Sequence, residues 1–232
     1  MKISFWSRLL DLISPRSCGI CGQRLSITEN SVCTPCYLHL PRTTYQWMPL
    51  DNPMAQLFWG LAPVHRAAAL FFFQPHSEAA NLIYLLKYND RPDIGEDLGR
   101  MMAEEMRMAG FFDGMDAIIP VPLTRHRQRQ RGYNQSEMVA RGISTITGLP
   151  VMPKVLRRKA FQTSQTSLMR HQRLENVEDI FELHDGCGLE GKHILLVDDI
   201  CTTGATLASC ANTLKVLSGL EISVLTLGFT KS

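Results

Sequence analysis

Between residues 193 and 229 an apolar run, a helical segment and a second apolar run follow one another with very little connecting chain. His193–Val197 and Ile222–Phe229 are near-continuously apolar, without the alternation that marks a strand with one wet face. Such strands are buried on both sides, which is the situation of a parallel sheet covered by helices. Ala205–Leu217 lies between them as the crossover helix of a β-α-β unit. A unit of this kind needs further parallel neighbours, so most of the remaining chain has to supply strands and helices in alternation.

The rest of the sequence meets that demand. Ala67–Phe73 and Ala117–Val121 read as two more apolar strands. Ser77–Tyr88 reads as a helix whose buried side carries Leu82, Ile83, Leu85 and Leu86. Asp93-x-x-Glu96 has the form of a capping box opening a second helix that runs through Met108. Within it Met101, Met102 and Met106 suit the core better than a binding surface. Gln135–Thr147 reads as a helix stopped by Gly148 and Pro150. The expected fold is therefore α/β, a parallel sheet with helices on both faces, over residues 64–232. With 45% hydrophobic and 20% charged residues the composition is that of a soluble globular protein. The formal charge is only +2, so any anion-binding surface has to be local.

In an open parallel sheet, ligands sit beyond the carboxyl ends of the strands, where helix N-termini also point. The stretch ILLVDDICTTGATL (194–207) puts Asp198 and Asp199 at such an end and starts a helix just after them. Amides around Thr202, Thr203, Gly204, Ala205 and Thr206 would be the unpaired donors of a helix start, an anion cradle reinforced by the macrodipole. Gly204 would let a phosphate come close to the backbone, and the threonine hydroxyls add donors. No Gly-Lys-Ser/Thr is present, which excludes a nucleotide-triphosphate P-loop. Two carboxylates beside a phosphate site make sense if they accept hydrogen bonds from a sugar diol or face Mg²⁺, so the ligand expected is a ribose 5-phosphate.

Four of the seven cysteines, Cys18, Cys21, Cys33 and Cys36, form C-x2-C-x11-C-x2-C. Paired knuckles of this kind bring four thiolates to one tetrahedral structural Zn²⁺, and Gly19, Gly22 and Pro35 supply the turns. A disulfide framework is disfavoured because no secretory signal accompanies the cysteines. Arg8 and Asp11 interrupt the N-terminal run MKISFWSRLLDLISP, and no small-residue cleavage site follows, so a short amphipathic helix and a cytoplasmic location are expected. No apolar stretch is long enough to span a bilayer. Cys187, Cys201 and Cys210 are expected to be small buried hydrophobes, with Cys210 on a helix's inner face. The division expected is 1–45 for the helix and four-cysteine module, 46–63 for a connector without periodicity, and 64–232 for the α/β domain.

The strand, the two acids and x-x-T-T-G-A-T resemble the phosphoribosyl-pyrophosphate (PRPP) signature of type I phosphoribosyltransferases. That resemblance implies that Asp198 and Asp199 hold the ribose hydroxyls and Thr202–Thr206 the 5-phosphate. Two further stretches, AIIPVPLTRHRQRQRGYNQS (117–136) and RRKAFQTSQTSLMRHQRLENVEDIF (157–181), together with the cysteine module, resemble the ComF/GntX family over nearly the whole chain. The family is associated with DNA uptake and with growth on DNA, and RGYNQ (131–135) is a specific piece of the match.

Read for its chemistry, the 120–135 stretch has arginines at 125, 127, 129 and 131, which an extended loop would present on one side. Guanidinium forks suit a pyrophosphate. Arg131 is the residue expected to act on it, with Arg125, Gly132, Asn134 and Gln135 around the ligand; Gly132 permits a tight turn and Asn134 caps the next helix. The 157–181 stretch resembles the hood that closes over PRPP, with Phe161 available to stack on a base. In a transferase, a nucleophile attacks the anomeric carbon as Mg-bound pyrophosphate leaves, and no motif names the acceptor. Three functions are consistent with these features: a transferase, a PRPP-sensing regulator, and an inactive accessory module that binds single-stranded DNA or DNA-processing proteins.

Overall fold

The computed structural model describes residues 16–88, 91–159 and 180–231. The N-terminal segment 1–15, expected to be helical, and most of the expected hood, including Phe161, Arg170 and Arg173, lie outside them.

Strands β1 (Arg66–Phe72), β2 (Ala117–Pro120), β5 (His193–Cys201) and β6 (Glu221–Phe229) form one sheet in the order β1-β6-β5-β2, with every pair parallel. Two hydrophobic layers cover it. On one face, α3 (Ala80–Tyr88), α4 (Pro92–Met108) and α6 (Gln135–Thr147) bury Leu82, Leu86, Leu98, Met102 and Val139 against Leu195 and Leu225. On the other, α2 (Pro53–Gln56) and α7 (Ala205–Leu214) pack with Ile119, Leu196 and Val224. The near-continuous apolarity of the strands is thus explained: both faces are covered.

Helices α4 and α6 cross at Gly99 and Gly142. A Cβ on either glycine would overlap the opposite backbone, the Val139 carbonyl in one case and the Glu96 carbonyl in the other. That close approach fixes α6, and α6 in turn fixes one wall of the cleft described below.

Several expectations need correction. Helix α4 does not begin with a capping box. Pro92 is its first residue, Arg91 precedes it with no side-chain cap, and the Asp93 carboxylate takes the Arg91 guanidinium at 2.7 Å. Proline at the first position already lacks the orphan N–H that a cap would satisfy. The 46–63 segment is more than a connector, since Met54, Ala55 and Phe58 are buried beneath the second face. Asn52 caps α2 by accepting from the Met54 and Ala55 amides. Cys201 and Cys210 are buried as expected, but Cys187 lies exposed in a turn. The four-cysteine module, which includes α1 (Thr34–Leu38), joins the core instead of standing apart. Cys18, Ile20 and Leu25 share the first hydrophobic layer, Ser31 donates to Asp97 at 2.6 Å, and Asn81 donates to the Ile20 carbonyl.

Candidate functional site

Strand β5 runs further than its apolar run suggests. It continues through Asp198-Asp199-Ile200 to Cys201 because β6 accompanies it, pairing Asp198 with Thr226 and Cys201 with Phe229. On its other side β2 stops at Pro120, opposite Val197. The two acids therefore sit within the strand, not past its end, and the early stop of β2 opens a cleft beside them.

That cleft has a volume of about 380 Å³. It is lined by Asp198, Asp199, Thr202 and Thr206 from β5 and the loop after it, by Val121–Leu123 and Ser136, and by four cations: Lys87, Arg127, Arg131 and Arg158. Ser136 donates through Oγ to Asp198 Oδ1 at 2.8 Å, and the Asp199 amide donates to the same oxygen at 2.9 Å. Asp199 Oδ2 lies 3.1 Å from Lys87 Nζ. Burial, and then the charge of Asp199, push the Asp198 carboxyl up to about 7, against the opposing pull of its two donors and Lys87. A half-buried pair of adjacent acids that resists double ionisation is suited to hold a diol or a cation.

The loop after the acids leads into a helix start beside the cleft. Gly204 has φ 75°, a left-handed conformation that glycine adopts without strain, and it is the N-cap of α7. Glycine brings no side chain to cap that helix start, and the Ala205 amide makes only a long 3.5 Å contact with Thr203 Oγ1, so the first turn suits an anionic ligand. A Cβ at Gly204 would also come within 3.1 Å of Phe58. Of the five expected loop residues, Thr202 and Thr206 line the cleft, Thr203 Oγ1 lies at the outer limit of hydrogen bonding from the Ala205 amide, at 3.5 Å, and Gly204 with Ala205 forms the helix start.

The arginine stretch is not an extended loop. Arg125–Arg131 is a helix, α5, whose N-cap Thr124 accepts from the Arg127 amide, and which ends at left-handed Gly132. In a helix, residues two apart face nearly opposite ways and residues four apart share a side. The four arginines are thus divided. Arg127 and Arg131 both line the acid-bearing cleft; Arg129 reaches only an adjoining cleft of about 860 Å³; Arg125 lines neither. Both arginines of the shared row also line the larger cleft, together with Lys87, Tyr88 and Tyr133. Asn134 caps α6 by accepting from the Ser136 amide, and donates to the Val121 carbonyl. Gln135 is buried and accepts from Arg131 Nη1 at 2.8 Å. Asn134 and Gln135 therefore support the site from behind, and neither lines a cleft.

Lys87, Ser136 and Arg158 also belong to the cleft, and nothing in the sequence surroundings of Lys87 marks it. Asn134 as a helix cap was the available signal for Ser136, since it places that residue in the first turn of α6. Arg158 stands in a two-stranded antiparallel ribbon, β3 (Leu156–Arg158) with β4 (Phe181–Leu183), at the base of the expected hood. Burial and the nearby Arg127 push its guanidinium down from its ordinary value, and its Nε has no hydrogen-bond partner. Two crowded guanidiniums are what an anion would relieve.

The four cysteine sulfurs lie within 4.8 Å of one another, with Cys21 Sγ and Cys33 Sγ 3.7 Å apart. Tetrahedral ligation with Zn–S of about 2.3 Å requires edges of about 3.8 Å, so the donor set fits a metal ion. The Ile20 and Cys33 amides point at Cys18 Sγ. Burial raises the Cys18 thiol, but amide donors outweigh it and hold it at about 7; burial and the neighbouring sulfurs push Cys36 up. Thiols crowded in this way gain from a shared cation.

The phosphoribosyl transferase domain family matches residues 100–228, more than half of the chain and all of the acid-bearing cleft except Lys87 and Phe73. The competence protein ComFC of Bacillus subtilis is 31% identical over 205 residues, covering 88% of this chain and 74% of that protein. This chain belongs to the ComF/GntX family. Its domain has the type I phosphoribosyltransferase fold, a parallel sheet flanked by helices. The DNA utilization protein YhgH of Salmonella typhi is 26% identical across 88% of the chain and 92% of its own length. Competence protein F of Haemophilus influenzae is 31% identical across 62% of the chain and 64% of its own length. Among solved structures, the glutamine PRPP amidotransferase of B. subtilis aligns with TM-score 0.40 and 22% identity, over 57% of this chain and 25% of that one. Among the described residues of this ComF/GntX member, no helix is long and apolar enough to cross a membrane.

Proposed function

We propose that this protein binds Mg-PRPP, or a ribose 5-phosphate group, in the cleft between β5, α5 and α6, and does so in the service of DNA uptake or the use of DNA as a nutrient. The observation that carries this reading is the composition of one 380 Å³ cleft: two acids, a helix start with free amides, and four cations on the facing walls. Each part meets one part of the ligand. Asp198 and Asp199 accept from the ribose hydroxyls, and the Thr202–Thr206 loop takes the 5-phosphate. Arg127, Arg131 and Arg158 face the pyrophosphate, where forked donors match its oxygens.

In a transfer reaction these residues would act by position and charge. The acids orient the ribose, and the arginines hold the departing pyrophosphate through charge-assisted hydrogen bonds. Gln135, by accepting from Arg131, aims that fork. Mg²⁺, when bound, neutralises the pyrophosphate, and the acid pair suits such an ion. Zn²⁺ on Cys18, Cys21, Cys33 and Cys36 would be structural, since four ligands leave no open position. The association with DNA rests on the named roles of the relatives, and a cytoplasmic setting would keep those thiols reduced.

Calorimetry with PRPP and Mg²⁺ tests the binding; release of pyrophosphate in the presence of a panel of free bases tests the transfer. Absence of heat with PRPP, in protein shown to be folded, would overturn the reading.

A further inference from the structure

We infer that Lys87, beside the three arginines, is a residue by which the site distinguishes a ribose bearing a pyrophosphate from one that bears only the 5-phosphate. This rests on the phosphoribosyl reading above. Lys87 is the next-to-last residue of α3, far along the chain from the signature loop, yet its ammonium lies 3.1 Å from Asp199 Oδ2. It lines both the acid-bearing cleft and the larger basic cleft. Its side chain is 23% exposed and that of Asp199 14%, so the pair stands at the wall between the two.

The geometry of the sugar gives that position its meaning. In PRPP the pyrophosphate leaves C1 on the same ring face as the 2- and 3-hydroxyls. An acid that accepts from the diol therefore has the first phosphate of the pyrophosphate as its neighbour. A cation in contact with the acid on the side of the basic cleft is within reach of that phosphate. An ammonium has three donors, so one can stay on Asp199 while two serve phosphate oxygens. A lysine at a helix C-terminus is also favourably placed against the macrodipole before any ligand arrives. The 5-phosphate, on the far side of the ring at the Thr202–Thr206 loop, lies beyond this contact.

The test compares PRPP with ribose 5-phosphate, both with Mg²⁺, by calorimetry on the full-length protein. Lys87→Met keeps the length and helix preference of the side chain without its charge, and Lys87→Arg keeps the charge. The unmodified protein is expected to prefer PRPP. Lys87→Met should lower PRPP affinity at least about tenfold, the scale of a lost charge-assisted contact, while leaving ribose 5-phosphate within about twofold. Lys87→Arg should restore much of the preference. If Lys87→Met weakens both ligands equally, the lysine serves only to hold Asp199, and this inference is overturned while the site stands. An unchanged PRPP affinity overturns it as well. If the unmodified protein binds neither compound, the phosphoribosyl reading itself falls and takes this role with it.

Discussion

Replacing Asp198 with asparagine should stabilise the ligand-free protein at alkaline pH while destroying its binding site. The carboxyl is raised from its ordinary 3.8 to about 7, first by burial and then by the charge of Asp199. A carboxyl whose pKa is higher in the folded state binds protons more tightly there than in the unfolded chain. Its contribution to stability is therefore complete below about pH 4 and is lost progressively as pH rises to about 7. At about 1.4 kcal/mol per pH unit, the loss above pH 7 reaches at most about 4 kcal/mol. The substituted amide would keep an acceptor oxygen for Ser136 Oγ and the Asp199 amide, so neither of these donors is stranded. Urea denaturation of Asp198→Asn and the unmodified protein at pH 8 and pH 5 measures this. The variant should be more stable by a few kcal/mol at pH 8, and the advantage should shrink towards zero near pH 4. An advantage that does not change with pH, or a variant less stable at pH 8, would refute the assignment of a raised carboxyl. PRPP binding should be lost at both pH values, since the amide cannot replace the second carboxylate acceptor.

Purified protein should carry about one zinc per chain, and Cys33→Ser should lose it and melt at a markedly lower temperature, because the module is part of the first core layer; metal analysis with a melting curve checks both. Gly204→Val should weaken PRPP binding and lower stability together, as its backbone is left-handed and a Cβ meets Phe58; calorimetry that finds unchanged affinity would move the phosphate elsewhere. Arg131→Lys should reduce turnover, or PRPP affinity if there is no turnover, far more than Arg125→Lys, because only the former lines a cleft. Gly142→Ala should cost about 1–3 kcal/mol in denaturant unfolding by forcing α6 away from α4.

Much of this protein could be read from local sequence. Apolar runs marked all four strands of the main sheet, and Asn134, Gly148 and Pro150 bounded α6, because caps and breakers act on their immediate neighbours. The C-x2-C pairs marked a set of four thiols that come together for the same reason: each knuckle is a local turn. The signature loop announced the Gly204 helix start beside the acids because glycine and the residues after it act locally. Tertiary structure decided the rest. Only the pairing of β5 with β6 could carry the strand through Asp198 and Asp199, and only the early end of β2 could leave them open to a cleft. Arginines spaced by two fitted an extended loop as well as a helix, and Thr124 and Gly132, which close the helix at its ends, sorted them into one row that faces the acids and others that do not. Lys87 and Ser136 reach the acids from helices on the first face, set there by the crossing of Gly99 and Gly142 and by side chains buried against the sheet. Caps, turns and periodicity are set by residues a few positions apart, whereas a contact across the sheet depends on how two whole layers pack.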